Sequence, residues 1–467
     1  MRALAIPGFA LALTLALALA GCAITPPQRP ASTLETAGAW RTEVGPGAAP
    51  EASWWNGFGD PVLNDLVVRA LAHNGDVRIA AARLREYQAR VTIAASGQQP
   101  ALNAGFTPVR ARAISPFGAP TEAFSVQGNL QASYELDLSG RLASTTAAAR
   151  FDLQSQQALL DATALAVAAS TASGYLNLRG LDAQLALAQA TLASRQRSLA
   201  LAQRQFEVGY SSRLDFAQAQ AEYHVTAAVV PQLRRAIAQQ ENALGVLVGV
   251  NPSNETPIAR GAALDALVAP AIAPGLPSEL LRRRPDVTQA ERAIAAADAS
   301  LAAARDQLLP SIRLTSSAGL QAYSISELLR SPILLWSIGG SVLAPVFDAG
   351  RLRAQADIAA SLRDRAVFAY ETVVRNAFAE TDNALAGVQL LGTQLAETEQ
   401  RRAAAAEVLR VAHNRYASGY ASYLEELDAQ RNTFSADQAA LQLRASLLAA
   451  HVDLYRALGG AWKPTAN

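Results

Sequence analysis

The sequence predicts a mixed α and β membrane protein that consists of two tandem repeats. Three observations predict this class. The second half of the chain repeats the first at a constant offset of 210 residues, which indicates an internally duplicated architecture. Each half contains a segment in which apolar and polar residues alternate, as in strands that face lipid on one side and water on the other. Each half also contains a long proline-free stretch with apolar residues at seven-residue spacing, which is typical of long packed helices.

The first residues are a targeting segment and not part of the fold. Residues 1–21 contain a basic residue and then an apolar run, which indicates a secretory signal peptide. The run ends in Leu-Ala-Gly-Cys, which resembles a bacterial lipobox and implies that Cys22 carries a covalent lipid such as palmitate. A transmembrane anchor is the alternative, but Pro7 shortens the apolar stretch below the roughly 20 residues that a spanning helix needs. Ala23, in the place where inner-membrane lipoproteins commonly have aspartate, implies the outer membrane as the destination.

The composition argues against several functional classes. The net charge is +1 and 17% of the residues are charged, so no basic surplus indicates a nucleic-acid partner. Cys22 is the only cysteine, and its lipidation would leave no thiol for a disulfide, a zinc site or a nucleophile. The four histidines lack metal-ligand spacing, and no nucleophile elbow or phosphate loop is present. We therefore expect no enzymatic activity, no metal and no cofactor apart from the lipid.

The repeat defines the domain organisation. The same offset brings Gly140 onto Gly350 and Gly209 onto Gly419. The predicted divisions are a lipidated N-terminal linker segment (22–61), repeat 1 (62–251), a proline- and alanine-rich connector (252–271), repeat 2 (272–461) and a C-terminal tail (462–467).

Each repeat begins with an alanine-rich helix. The first is predicted over residues 76–95 and the second over residues 286–307. Pro100 and Pro310 follow these segments, and proline shortly after a periodic stretch is a stop signal for a helix.

A β-hairpin follows each of these helices, over residues 101–138 and 311–347. In the first hairpin, apolar or small residues at even positions from Phe124 to Leu136 alternate with polar residues. In the second, the apolar positions run from Trp336 to Val346. SPFGAPTE and the SELLRSP region are predicted to be the turns between the strands. Strands this long exceed the usual five or six residues and suit a membrane barrel.

Four strands cannot close a barrel in lipid, because each unpaired backbone group at an edge costs several kcal/mol there. The strands must therefore be shared among chains. Three copies that contribute four strands each would form a barrel of 12 strands, which is within the known range. A soluble, half-buried sheet is the alternative interpretation of the same alternation.

A long helical hairpin ends each repeat. A helix over residues 141–207 would be about 100 Å long. Its apolar side chains keep a seven-residue spacing, and repeat 2 keeps that register except at Arg402; the positions are Leu185, Leu192, Leu199, Phe206, Leu395, Leu409 and Tyr416. The Gly-Tyr-Ser-Ser and Gly-Tyr-Ala-Ser segments that begin at Gly209 and Gly419 predict a turn and a returning helix. We call these two turns the hairpin tips.

With these elements in place, the chain resembles the TolC-type outer-membrane efflux channels, in the lipoprotein branch that serves resistance-nodulation-division pumps. The resemblance covers nearly the whole mature chain. It depends on WWNGFGDPVLNDLV (54–67), LLRRRPDV (280–287), LLPSIRLT (308–315), PVFDAGR (345–351) and YRALGGAW (455–462).

The resemblance implies a homotrimer in the outer membrane. It implies a 12-stranded β-barrel, a 12-helix periplasmic α-barrel and an equatorial domain around the α-barrel. It also implies that the channel passively conducts small molecules and drugs, and that its partners are a periplasmic adaptor (membrane fusion) protein, an inner-membrane pump of the resistance-nodulation-division type and outer-membrane lipid.

The resemblance assigns the functional residues to the tips. It implies a periplasmic gate on the second hairpin, with Leu424 as its apolar position and Glu425 and Asp428 as its acidic positions. Three copies of each carboxylate would favour cations at the closed entrance. The alternative is that these acids, with Glu426, are only the solvated first turn of a helix. The first hairpin lacks the full acidic set.

The resemblance also implies adaptor-docking tips, at Val208, Gly209, Tyr210, Ser418, Gly419 and Tyr420. A basic residue that latches the gate in some relatives is absent, since Ala421 stands there.

Two rival functions remain open. One is a type I protein-secretion channel of the same fold, and the other is a non-channel coiled-coil lipoprotein that bridges envelope layers.

Overall fold

The structure is a computed structural model, and it describes residues 29–31, 33–34, 38–42, 53–114, 116–251, 257–270 and 272–460. The signal peptide, Cys22 and the tail 462–467 lie outside the described residues. The described chain contains a short 3₁₀ helix, nine α-helices and four β-strands. The helices are α1 (Pro61–His73), α2 (Gly75–Ser96), α3 (Arg141–Glu207), α4 (Arg213–Leu247), α5 (Pro277–Arg283), α6 (Pro285–Asp306), α7 (Ile325–Arg330), α8 (Arg351–Ala417) and α9 (Tyr423–Ala457).

The four strands form one antiparallel sheet in the order β1-β2-β3-β4. The strands are β1 (Ala101–Ile114), β2 (Pro120–Leu136), β3 (Ser311–Ala322) and β4 (Ile333–Leu343). Both predicted hairpins are therefore present, and β2 pairs with β3 although a complete helical hairpin separates them in the sequence. Within this chain β1 and β4 each keep one unpaired edge.

The register places most of the apolar residues of the four strands on one face; Val109, Ile333, Leu335 and Leu343 lie on the other. Directly paired residues share a face of a sheet, and the pairs connect Ala104 with Leu130, Leu130 with Ala318, and Ala318 with Trp336. The apolar face comprises Leu102, Ala104, Phe106, Pro108, Phe124, Val126, Gly128, Leu130, Ala132, Tyr134, Leu136, Ile312, Leu314, Ala318, Leu320, Ala322, Leu334, Trp336, Ile338, Gly340 and Val342, with Ser316 among them. The opposite face contains Asn103, Gln127, Asn129, Gln131, Glu135, Arg313, Thr315, Gln321 and Ser341.

Two details of the second hairpin differ from the sequence prediction. The SELLRSP region forms the short helix α7 and not a simple turn, because the Ser324 hydroxyl caps its first turn by accepting a hydrogen bond from the Glu327 N–H at 3.2 Å. The strand β4 ends at Leu343, so Val346 is outside the sheet. Pro345 follows closely, and proline cannot donate a ladder hydrogen bond.

The helix α3 has the predicted bounds, and both long hairpins turn at the predicted tips. The first consists of α3 and α4, and the second of α8 and α9; α3 and α8 each have 67 residues. The apolar stripe of α8 is interrupted at Arg402 because its Nε atom donates to Asp437 Oδ1 of α9 at 2.7 Å. One window of α3 is long and apolar enough to span a membrane, with a mean hydropathy of 1.2, but 39% of it is buried inside the chain. Such burial is typical of a packed helix.

The main hydrophobic core surrounds the middle of the long helices. Trp54 stacks on Tyr455 with a centroid distance of 4.9 Å. Asp60 is fully buried, and its carboxylate accepts hydrogen bonds from the Tyr175 hydroxyl at 2.8 Å and from the Ala262 N–H at 3.0 Å. These contacts give the Trp-rich opening of the chain a structural role, because they attach it to the helices.

The N-terminal segment lies along α8. The Thr33 N–H and hydroxyl donate to the Glu371 carboxylate at 3.0 and 2.9 Å. The Trp40 indole donates to the Gly275 carbonyl at 2.8 Å. The segment runs parallel to α8. Arg29 pairs with Asp298 of α6 near the sheet end of the molecule, and the Arg41 N–H donates to Asp382 further along α8.

Candidate functional site at the hairpin tips

Both hairpin tips are glycine turns with the same backbone geometry. Gly209 and Gly419 have φ angles of 75° and 77°, a region that glycine adopts without steric cost. The Tyr210 N–H donates to the Gln205 carbonyl at 2.8 Å, and the Tyr420 N–H donates to the Arg415 carbonyl at 2.9 Å. This pattern ends each long helix with a Schellman-type turn.

The residues predicted to dock an adaptor are at the surface of these turns. Val208, Tyr210 and Tyr420 are about four-fifths exposed, at 79%, 80% and 81%. Ser418 is exposed as well, and a Cβ atom added at either tip glycine would meet no atom within 4 Å. Large apolar side chains this exposed at a helix turn are available to a partner.

The first helical turn after each tip is capped differently in the two hairpins. In the first, Ser212 and Asp215 form a reciprocal capping box, with both hydrogen bonds at 3.2 Å. In the second, Ser422 makes no such side-chain bond. The residue of the second hairpin that corresponds to Asp215 is Glu425. Its carboxylate lies 3.5 Å from Arg415 instead. Equivalent acids therefore have different local roles in the two repeats.

The three predicted gate residues share the exposed face of α9. Leu424 is 47% exposed, and the side chains of Glu425 and Asp428 are 44% and 60% exposed. Asp428 lies 3.5 Å from Arg431. Glu426 is not solvated with them: it is 5% exposed. The alternative of a uniformly solvated acidic turn is therefore wrong for Glu426.

Glu426 is buried between the helices of the second hairpin. Its Oε1 atom lies 2.9 Å from His413 Nδ1 and accepts a hydrogen bond from Gln430 at 3.0 Å. Beside it, the rings of Tyr416 and Tyr423 are 5.7 Å apart. Burial raises the pKa of Tyr423 to about 12 and also raises the pKa of Tyr416, so both phenols stay neutral.

Charged residues missed in the sequence join the two hairpins behind the gate face. Arg431 of α9 donates through Nε to Glu222 of α4 at 2.7 Å. Arg195 of α3 is 4% exposed, lies 3.9 Å from Glu222 and donates to Gln430. Burial lowers the pKa of Arg195. Removing one partner of such a pair leaves a buried charge without compensation.

A sequence signal for this network does exist. At the repeat offset, Arg195, Glu222 and Arg431 correspond to alanine, asparagine and alanine. Charged residues that break an otherwise apolar or neutral repeat position are candidates for contacts between the repeats. Among the described residues, no cluster of three metal-ligating side chains occurs.

A sheet with one continuous apolar face, joined to helical hairpins about 100 Å long, defines the class of outer-membrane channel proteins with a periplasmic helical extension. The comparison with protein families agrees with this class. The family model described as outer membrane efflux protein matches residues 66–250 and 276–460. The chain belongs to this family.

Individual relatives resemble the chain over almost its whole length. It is 34% identical to the toluene efflux pump outer membrane protein TtgF of Pseudomonas putida, over 97% of this chain and 96% of TtgF. It is 32% identical to the cation efflux system protein CusC of Escherichia coli, over 96% and 97% of the two chains. The open-state MtrE outer membrane channel of Neisseria gonorrhoeae matches with a TM-score of 0.84 and 31% identity, over 94% of this chain and 98% of MtrE.

These comparisons confirm the predicted function and location. The protein is an outer-membrane efflux channel, the exit duct of an efflux pump, and it resides in the outer membrane. The comparisons favour efflux over the secretion channel and the envelope scaffold.

Proposed function

We propose that three copies of this chain close into one continuous duct. The observation that carries the proposal is the apolar face that extends across all four strands while β1 and β4 keep open edges. Unpaired edges are not tolerated in lipid. In a ring of three chains, β4 of one copy would pair antiparallel with β1 of the next and give 12 strands. The four long helices of each chain would give 12 helices below them.

The same duct would receive its cargo at the hairpin tips. We infer that the exposed tip residues Val208, Gly209, Tyr210, Ser418, Gly419 and Tyr420 dock a periplasmic adaptor protein. An inner-membrane pump of the resistance-nodulation-division type would supply the energy, and the channel would conduct small molecules passively. The exposure of the apolar tip side chains supports this assignment.

We further propose that the second hairpin forms the periplasmic gate. Leu424, Glu425 and Asp428 project from one exposed face of α9, where a threefold axis would bring three copies of each side chain together. Arg415 and Arg431 each lie 3.5 Å from one of these carboxylates. Because the arginines offset part of the negative charge, the predicted cation preference of the closed entrance is moderate.

A covalent lipid on Cys22 would anchor the chain at the base of the barrel. Arg29 pairs with Asp298 of α6, which runs directly toward β3. Seven residues span at most about 25 Å, and the remaining eight residues of α6 rise about 12 Å, so the cysteine can reach the membrane surface there. Labelling with a palmitate analogue should be lost in Cys22→Ala. Retained label would contradict the proposal.

Planar-bilayer conductance tests the gate. We expect a low current from the wild-type protein and a sharply higher current from Leu424→Ala/Asp428→Ala, because the substitution removes the apolar side chain and the carboxylate from the constriction. The repeat provides a matched control at the same positions of the first hairpin, Leu214→Ala/Gln218→Ala. That control should conduct like the wild type.

Equal currents from the gate variant and its matched control would show that the constriction is elsewhere. No current from any of the folded, trimeric proteins would contradict the open duct itself. A preference for anions in the wild type would contradict the acidic gate.

A further inference from the structure

Two arginines stand on the apolar face of the sheet. Arg110 pairs with Phe124 and Arg112 pairs with Glu122 in the ladder between β1 and β2. Both arginines thus share the face that carries Phe106 and the other apolar residues. A guanidinium on a lipid-facing surface is strongly disfavoured at the middle of a membrane and tolerated near its interfaces.

The topology places these arginines at the outer rim of the barrel. The opposite ends of β1 and β2 lead into the helices α2 and α3, which occupy the periplasmic side of the protein. Residues 110–124 surround the hairpin turn at the far end. The arginines therefore lie near the end of the apolar band, with the Ile114–Pro120 pair beyond them, at the level where the headgroups of the outer leaflet begin.

The pair carries an excess of positive charge. Arg110 is 77% exposed and lies 3.3 Å from Glu122, which is 53% exposed. Arg112 is exposed, and within the described part of the chain no ion pair to it occurs. The helix α7 adds Glu327 and Arg330 at the same end of the sheet, so these five residues leave one net positive charge per chain at the rim.

The second hairpin has no counterpart of this feature. At the repeat offset, Arg110 and Arg112 correspond to Leu320 and Ala322, which keep the face apolar. The arginines are thus specific to one hairpin. The alternating pattern of the strand does not require them, because apolar residues occupy the same positions in the second repeat.

We propose that Arg110 and Arg112 bind the phosphate group of an outer-leaflet lipid. The planar guanidinium presents paired N–H donors that match phosphate oxygens. Below the arginines, Phe106 is 61% exposed on the same face and offers an apolar surface to an acyl chain. The proposal rests on the outer-membrane channel function, because that function orients the apolar face toward lipid.

Native mass spectrometry of the purified protein tests this site. The probes are lipid A with two phosphates and its fully dephosphorylated analogue. We expect the wild type to prefer the phosphorylated lipid. Arg110→Gln/Arg112→Gln should weaken that preference by about tenfold or more, since it removes the charged donors that the phosphates would accept from. The matched control removes two exposed arginines of α4, Arg234→Gln/Arg235→Gln, and should retain the preference.

Three results would overturn the proposal. The first is a wild type that binds both lipids equally. The second is a rim variant that keeps the full preference. The third is displacement of the lipid by inorganic phosphate alone, which would indicate a site for free anions. The single variant Arg112→Gln keeps the Arg110–Glu122 pair, so it provides the same comparison if the double variant does not assemble; channel conductance, which should not change, verifies its folding.

Discussion

At the scale of single residues, a buried carboxylate connects the start of the chain to the helices. Asp60 accepts from the Val62 N–H at 2.8 Å, where it caps α1, and from the Tyr175 hydroxyl at 2.8 Å. The Tyr175 oxygen in turn accepts from the Gly261 N–H at 2.9 Å. Burial is the main cause that raises the pKa of Tyr175 to about 12. The phenol therefore remains protonated and can donate to the carboxylate.

Tyr175→Phe should reduce the free energy of unfolding by about 1–3 kcal/mol, because it leaves the buried Asp60 carboxylate and the partly buried Gly261 N–H each without one partner. Thermal and denaturant unfolding of the purified protein measure the change. Tyr420→Phe, at an 81% exposed tyrosine, is the control and should have no measurable effect. Equal stability of both variants would show that water replaces the lost hydroxyl.

His451 gives the protein a pH-dependent contribution to stability. It lies on α9, where its Nδ1 atom is 2.8 Å from the Leu447 carbonyl oxygen. Burial lowers its pKa below the ordinary value of 6.5. The folded state then binds fewer protons than the unfolded state, so stability decreases as the pH falls below about 6.5.

The thermal midpoint of the wild type should decrease between about pH 7.5 and about pH 5.5, and the decrease should be smaller in His451→Gln. Replacing the exposed His224 of α4 by glutamine leaves the partly buried His451 imidazole in place and should keep the wild-type pH dependence. If His451→Gln shows the same decrease as the wild type, other groups account for it.

At the scale of elements, the hairpin tips combine a shared backbone with different side-chain environments. Both turns use a left-handed glycine, yet only the second tip is followed by the Glu425–Arg415 contact and the buried Glu426. The bonds from Arg431 to Glu222 and from Arg195 to Gln430 hold the second hairpin against the first. The duplicated element has therefore become asymmetric at the end where we place the gate.

Gly419→Val separates docking from folding. A β-branched residue at a φ of 77° is strained by about 1–2 kcal/mol or more, but its Cβ would meet no atom within 4 Å. We expect a normal yield of trimer and a loss of efflux in a drug-susceptibility assay. Tyr420→Ser removes an exposed ring without backbone strain and should reduce efflux as well. Loss of the trimer in Gly419→Val would assign the glycine to folding alone.

At the scale of the whole molecule, one chain provides a third of a closed barrel. Its sheet has the correct faces for lipid and for water but two open edges. The helical hairpins likewise present large exposed apolar residues, such as Ile358 at 61% and Leu390 at 64%. Burial of such residues and pairing of the edges both require other copies of the chain.

Cysteine cross-linking tests the closure of the ring. Asn103 on β1 and Ser337 on β4 share the polar face at the two edges, with Gln131 and Ser317 between them in the ladder. A bismaleimide with a spacer long enough to bridge the stagger of strands in a closed barrel, added to Asn103→Cys/Ser337→Cys, should produce covalent dimers and trimers, because the two edges meet between neighbouring chains. Each single variant is a control and should remain monomeric under denaturing conditions. A double variant that also stays monomeric would contradict pairing between β4 and β1.

The periodic features of the protein could be predicted from the sequence alone. The alternating faces of β2 and β4, the bounds of α3 and the two glycine tips all depend on residues that are close together in the chain, and the two repeats show because one fixed offset relates such patterns. Local spacing reports such features because each strand or helix has its own fixed period. The short helix α7 was missed because six residues are too few to show a period.

Contacts between distant residues were decided only by the tertiary structure. Packing brings together residues that are far apart in the sequence, as in the hydrogen bonds from Thr33 to Glu371 and from Arg431 to Glu222. Packing also buries Glu426 while its neighbour Glu425 stays exposed. The common register that aligns four apolar faces is of the same kind, since β2 and β3 meet across an intervening helical hairpin. Sequence determined which side of each element is apolar, and the tertiary structure decided which charged and apolar side chains meet, because partners that far apart leave no periodic pattern.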